Sequence, residues 1–437
     1  MKHKKGLIVF TALFSVAVFL GIFLMMWFWG DEYTDFDPNI FREEVSIPGL
    51  NEGACPQGLA TSKHRLYNSK GELVYYPDVD GNPTEQEKMQ EYYFVSAYFK
   101  DKPSRIYVTG RESGYLGYVS LYKDGEPFYG HVGGIATNGT VFWIGSERYV
   151  YCIKRTSGDL KNAVDEIILN SVTTHVLDLN VETTTSFMID GNAAFVSYYK
   201  SSTSTGSSTE RLYVGEFYRA GNYETSKKHH ITLPDGTVNR AFMYEFNVSS
   251  STEYGLTVIS DNGNISKQVP KVQKIYSIPD RIQGVARVSG SKDDSNGDTL
   301  ILSQSYGLDN SQIILYNYNT IENGTNNSLS YSSIVDSNGF EYPDVTTLIS
   351  GRPYYDTTVS VYYVYGNVKS KTVDSEGKNI SPSFIRSYSL PSMSEGLAVS
   401  SDDRVNILFE SSASKYKPFV RQSLDKVYSF RPSRSGK

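Results

Sequence analysis

The chain reads as an all-β protein: a β-propeller preceded by one N-terminal transmembrane helix. Three observations predict this. A Gly-aliphatic-Ala pattern recurs at Gly58-Leu59-Ala60, Gly134-Ile135-Ala136, Gly284-Val285-Ala286 and Gly396-Leu397-Ala398. Repetition of one small β unit is the mark of a propeller. Aromatic residues make up 14% of the chain, with 35 Tyr, 21 Phe and 36 Gly, which suits many short strands joined by turns. An uncharged apolar run fills residues 6–30, and about 20 such residues cross a bilayer as a helix.

The N-terminal elements follow from charge and length. Residues 1–5 form a basic tail through Lys2, Lys4 and Lys5. The run 6–30 is longer than the core of a cleaved leader and ends Trp27-Phe28-Trp29-Gly30. Trp favours the membrane–water boundary, so the run reads as an uncleaved signal anchor. The basic end then stays cytoplasmic and the propeller lies outside the cell membrane. Cleavage late in the run leaves the rest exported all the same. Residues 31–50, acidic and carrying Pro38 and Pro48, read as a linker. The propeller is expected over 51–430, with a disordered basic tail at 431–437.

Each blade is expected to start with an inner strand carrying the motif. Blade one takes 57–61, 92–98 and 105–108, with a polar insertion over 62–90. Blade two takes 131–137, 141–145 and 149–153. Blade three lacks the motif; its inner strand is read at Ser186–Ile189, followed by 212–217 and 241–246. A competing alignment makes Ala194–Tyr199 the second strand. Blade four takes 283–288, 300–305 and 313–316. Blade five takes 395–399, 405–410 and 426–430. That counts five blades. The segment around 346–368, with the strand-like 359–365, fits either a sixth blade or an outer strand of blade four. Gly and Ala let inner strands approach closely near the axis, which explains the motif without invoking function.

The net charge is −6 and the pI about 5.7. This argues against a nucleic-acid partner, which needs a basic surface. Two cysteines occur, Cys55 and Cys152. Outside the cell, adjacent blades can bring them together as a disulfide. Two buried free thiols are the other reading.

Pro56-Gln57-Gly58-Leu59-Ala60, His131-Val132-Gly133-Gly134-Ile135-Ala136, Val214-Gly215-Glu216-Phe217-Tyr218, Ile282-Gln283-Gly284-Val285-Ala286 and Met393-Ser394-Glu395-Gly396-Leu397-Ala398 carry a resemblance. So does Leu408-Phe409-Glu410-Ser411. Together they resemble an uncharacterised bacterial family of membrane-anchored β-propellers. More distantly, the chain is similar to gluconolactonase, strictosidine-synthase and esterase-like-phytase propellers. The resemblance implies the fold and no particular activity. The metal ligands of the distant propellers do not map onto this chain.

Polar residues sit beside the motif. Gln57, Gln283 and Glu395 immediately precede its glycine, and His131 lies near the equivalent place. Glu216, Gln304 and Glu410 fall near the ends of second strands. If all inner strands run one way, these seven gather at one mouth of the channel. Such a set can bind a sugar or a cation such as Ca²⁺, or simply satisfy strand ends and hold water. His229-His230 reads as an exposed loop, since neighbouring residues on a strand point apart. No nucleophile elbow, zinc helix or phosphate loop occurs. Two functions are therefore expected to compete. One is a binding or interaction module for a protein, peptidoglycan or another glycan. The other is a cation-dependent hydrolase or lactonase working at the mouth. A purely structural part in a membrane complex ranks behind both.

Overall fold

The inner strands set the architecture because they have the least room. The computed structural model describes residues 35–432, apart from 69, 155–166, 168–173, 179–184, 202–207, 262–263, 291–296, 324–327, 331–358 and 367–382. The run 6–30 lies outside the described residues, as do the basic tail 1–5 and residues 433–437. Among the described residues no helix is long and apolar enough to cross a membrane.

Five sheets radiate from one axis, antiparallel except for the outer pairings of blades one and three. Their inner strands are Cys55–Arg65, Gly134–Thr137, Phe195–Lys200, Ile282–Val288 and Ser394–Val399. Each inner strand touches the next, and the fifth touches the first, so the ring is closed. Val, Ile, Leu and Tyr on the strand faces fill the gaps. Five apolar clusters result, one per blade interface.

The motif glycines sit where neighbouring backbones meet. A Cβ on Gly58 would lie 2.8 Å from the Ile135 nitrogen, and one on Gly134 2.2 Å from the Val196 nitrogen. For Gly284 the obstacle is the Glu395 oxygen at 2.8 Å, and for Gly396 the Leu59 nitrogen at 2.8 Å. Each glycine thus abuts the inner strand of the following blade.

Blade three departs from the expected reading. Its inner strand is Phe195–Lys200, and Ser186–Met188 is the outer strand of blade two. Phe195 takes the place of the motif glycine. Its ring lies over Gly215 of the second strand, where a Cβ would fall 1.9 Å from the ring. The missing inner-strand glycine is offset by one on the neighbouring strand. Second and third strands, Glu210–Gly215 and Ala241–Asn247, fall as expected.

The strand within 359–365, Ser360–Tyr363, forms neither a sixth blade nor an edge of blade four. It pairs in parallel with Val272–Ile278, the fourth strand of blade three. The polar insertion 62–90 carries regular structure of its own. The inner strand runs on to Arg65, and Tyr75–Pro77 pairs with Pro83–Glu87 as a short hairpin.

Residues 31–50 are not merely a linker. Arg42–Ser46 is the outer strand of blade five, pairing with Lys426–Phe430. The N-terminal strand thereby closes the sheet made from the C-terminal end. Glu44 on this strand is almost fully buried and ion-pairs with Arg111 of blade one at 3.1 Å. It also accepts a hydrogen bond from Tyr93 of blade one at 3.2 Å. Ahead of the strand, Phe36 packs on Tyr428 and Phe41 on Tyr388 and Phe430.

Cys55 and Cys152 are free and buried, so the disulfide reading is corrected. Cys152 lies on the third strand of blade two, packed toward blade three. Cys55 begins the inner strand of blade one, in a different interface.

Two outcomes are expected. Gly396→Ala forces a methyl onto the Leu59 backbone and lowers stability by about 1–3 kcal/mol, the usual cost of overpacking. An unchanged urea midpoint refutes the crowding argument. A chain beginning at Asn51 lacks the closing strand and Glu44, so its melting temperature falls well below that of a chain beginning at Asp31. Equal melting temperatures refute the closure.

Candidate functional site

Strand direction brings one set of ends together. Cys55 pairs with Tyr98, Gly134 with Gly145, Phe195 with Gly215, Ile282 with Gln304 and Ser394 with Phe409. Five inner-strand starts and five second-strand ends therefore surround one mouth of the channel. A cavity of about 460 Å³ opens there, within the range of small-molecule sites.

Polar side chains reach this cavity through β-bulges. In blades one, four and five the pairing register shifts at the motif, between Pro56 and Gly58, Ile282 and Gly284, and Ser394 and Leu397. A bulge re-aims the extra residue, here Gln57, Gln283 and Glu395, all of which line the cavity. Gln57 Nε2 donates to Glu410 Oε2 at 2.9 Å and to the Pro56 carbonyl at 2.9 Å. Gln283 Nε2 donates to Glu395 Oε1 at 3.4 Å. The Glu395 and Glu410 carboxyls hydrogen-bond to each other. In blades two and three the matching positions are Gly133 and Ala194. The mouth is therefore lopsided, with a polar floor on three blades and open space over the other two.

Two carboxyls in contact cannot both ionise cheaply. Burial, then the neighbouring Glu410, holds the Glu395 carboxyl well above the usual range. Burial pushes Glu410 up to about 7. Glu410 is the more open of the two, so Glu395 is the natural donor and Glu410 the acceptor. His131 is exposed at the mouth, but desolvation on the side packed against Tyr98, and then the Lys415 charge, lowers its pKa and favours a neutral imidazole. Burial also raises the Cys55 thiol.

The walls are aromatic, and they come from loops that follow second strands. Tyr98, Phe217 and Tyr306 lie at or just after a second-strand end, and Tyr223 and Tyr416 lie further along the loops that follow. Tyr98 packs against His131 with ring centres 4.0 Å apart and planes tilted by 37°. Phe217 lies 5.4 Å from Tyr223 and 6.2 Å from Tyr306. Lys415 Nζ donates to the Tyr98 hydroxyl. That ammonium stands 4.6 Å from the Tyr98 ring centre and 4.3 Å from that of Tyr416.

Of the seven expected residues, Gln57, His131, Gln283, Glu395 and Glu410 line the cavity. Glu216 and Gln304 do not, and both are corrected. Glu216 is fully buried below the mouth. Its Oε2 lies 2.9 Å from His229 Nδ1 and accepts the Phe242 amide at 2.9 Å. His229 is accordingly buried and stacked on Phe242, not in an exposed loop. Gln304 turns back to donate to the Asp280 carbonyl at 2.8 Å, leaving Ser305 to face the cavity. Sequence reasoning missed Lys415 and the aromatic walls. The available signal was the position of each aromatic residue relative to its second strand.

Among the described residues no group of three or more His, Cys, Asp or Glu is placed to hold a metal ion. A larger cleft of about 940 Å³ lies at the seam of blades five and one. Its buried carboxylate, Glu44, is already committed to Arg42, Arg111 and Tyr93. The converging polar groups are at the channel mouth, which makes that cavity the candidate site.

No protein-family model matches the chain, and no curated protein matches it. The site is therefore read from its own chemistry.

Glu410 protonates near 7 in the fold and near its ordinary value, about 4.5, when unfolded. Between these values the folded chain holds more protons. The stabilising effect is full below about 4.5 and is lost as pH rises through about 7. The urea-midpoint advantage of the native chain over Glu410→Gln should fall from pH 5 to about pH 7 and level off by pH 8. A pH-independent difference refutes the shared proton.

Proposed function

We propose that the protein is a membrane-tethered propeller that holds its channel mouth outside the cell and binds a glycan there. One observation carries this reading: a polar floor of amides and carboxyls faces an open cavity walled by aromatic rings. Tyr and Phe offer flat apolar area with few rotamers to freeze. Gln57, Gln283 and the carboxyl pair offer donors and acceptors at fixed angles, which suits the hydroxyls of a sugar ring. The apolar leader at 6–30 supports the tether. The resemblance to membrane-anchored propellers agrees with the tether.

A hydrolase is the weaker reading. Glycosidase carboxyls stand about 5 Å or more apart to admit the sugar and its water. Glu395 and Glu410 instead touch each other. A cation such as Ca²⁺ needs six or more oxygens, and Lys415 places positive charge beside the only carboxyl pair that lines the cavity among the described residues.

The full-length chain in detergent should retain particular saccharides from a mixed glycan panel. Phe217→Ala and Tyr306→Ala are each expected to weaken that retention by ~10-fold, about 1.4 kcal/mol. Both side chains are only partly buried, so melting temperature should move little. Retention unaffected by either change removes the mouth as the binding site.

A further inference from the structure

We propose that the mouth selects an acidic sugar, a pyranose bearing a carboxylate, with that carboxylate seated between Lys415 and Glu410. This rests on the glycan reading above and names the ligand class.

The cation is exposed and leans on two rings. Lys415 is tied to the Tyr98 hydroxyl and flanked by the Tyr98 and Tyr416 rings. Among the described residues it forms no ion pair, although its charge acts on both Glu395 and Glu410. A cation held by aromatic faces keeps its charge available to a ligand.

Below about pH 7 those carboxyls supply little opposing charge. Glu395 is buried and hydrogen-bonded to Glu410, and the two hold one proton between them near neutrality. The groups facing Glu410 are Cys55 and Gln57 from the inner strand of blade one and Tyr98 from its second strand. Glu395 comes from blade five, with Lys415 and Tyr416 from the loop that follows Glu410. His131 adjoins Tyr98 and favours the neutral form. Lys415 is the one cation in this set. Glu147 also lines the cavity, but it is exposed at the hairpin tip of blade two.

A ligand carboxylate fits both partners. It accepts from the Lys415 ammonium, and from Glu410 once that residue is protonated. Charge-assisted O–H···O⁻ bonds of this kind are short and strong. Binding therefore takes up one proton. Affinity should be highest below pH 7 and fall ~10-fold per pH unit above it, as one-proton linkage requires. A neutral sugar engages neither effect.

The test compares methyl glucuronide with methyl glucoside by calorimetry on the full-length chain in detergent, at pH 5.5, 7 and 8.5. Methyl glucuronide is expected to bind at least ~10-fold tighter at pH 5.5, with the advantage shrinking at pH 8.5. Lys415→Met should erase the preference, and Glu410→Gln should flatten its pH dependence, with melting temperature recorded for both. Equal, pH-independent binding of the two sugars overturns the acidic selection and leaves the glycan reading standing. Failure of both sugars and of the neutral glycan panel overturns both.

Discussion

Crowding at the axis is the constraint on which this structure rests. Inner strands of neighbouring blades approach until backbone meets backbone, and at four of five contacts only a hydrogen fits at the motif position. That approach closes the ring and sets the five apolar interfaces outside it. The fifth contact shows the same rule by another route. Phe195 fills the space that a glycine leaves elsewhere, and Gly215 beneath it gives up its side chain to make room. Small serines reinforce the contacts: Ser96 Oγ donates to the Val132 carbonyl across one interface, and Ser303 meets Ser394 across another.

A ring built from a linear chain must be sealed, and here the seal lies at blade five. Three of its strands come from the C-terminal end and the outer one from Arg42–Ser46. Glu44 extends the seal into blade one through Arg111 and Tyr93. A carboxylate this deeply buried is favourable only because several donors surround it. The segment leading in from the N-terminus thus lies against the outer strands of the propeller, in the groove between blades four and five.

The same crowding shapes the mouth. Bulges at the motif in blades one, four and five turn a polar residue toward the channel. Blades two and three pair without a bulge and carry Gly133 and Ala194 at the matching positions, and this imbalance leaves the cavity open on their side. Sharing a proton lets two carboxyls sit together in a buried place without a metal. The result is a floor that both donates and accepts, beside a cation stacked on tyrosines.

Much of this was legible in the residues. The motif glycines gave the propeller and four of its inner strands, because close packing admits few residue types. Gln57, Gln283, Glu395, Glu410 and His131 were recognisable as mouth residues once strand direction was assumed. Glu216 and Gln304 were misplaced, since a strand end does not state which way its side chain turns. Blade three was misaligned because its compensation, Phe195 over Gly215, joins residues that pair only across the sheet. The chain by itself determined where backbones must crowd, a local property of glycine and alanine. Folding in three dimensions alone decided the sealing strand and the seat of Lys415 against Tyr98, because each depends on groups far apart in sequence meeting at one point.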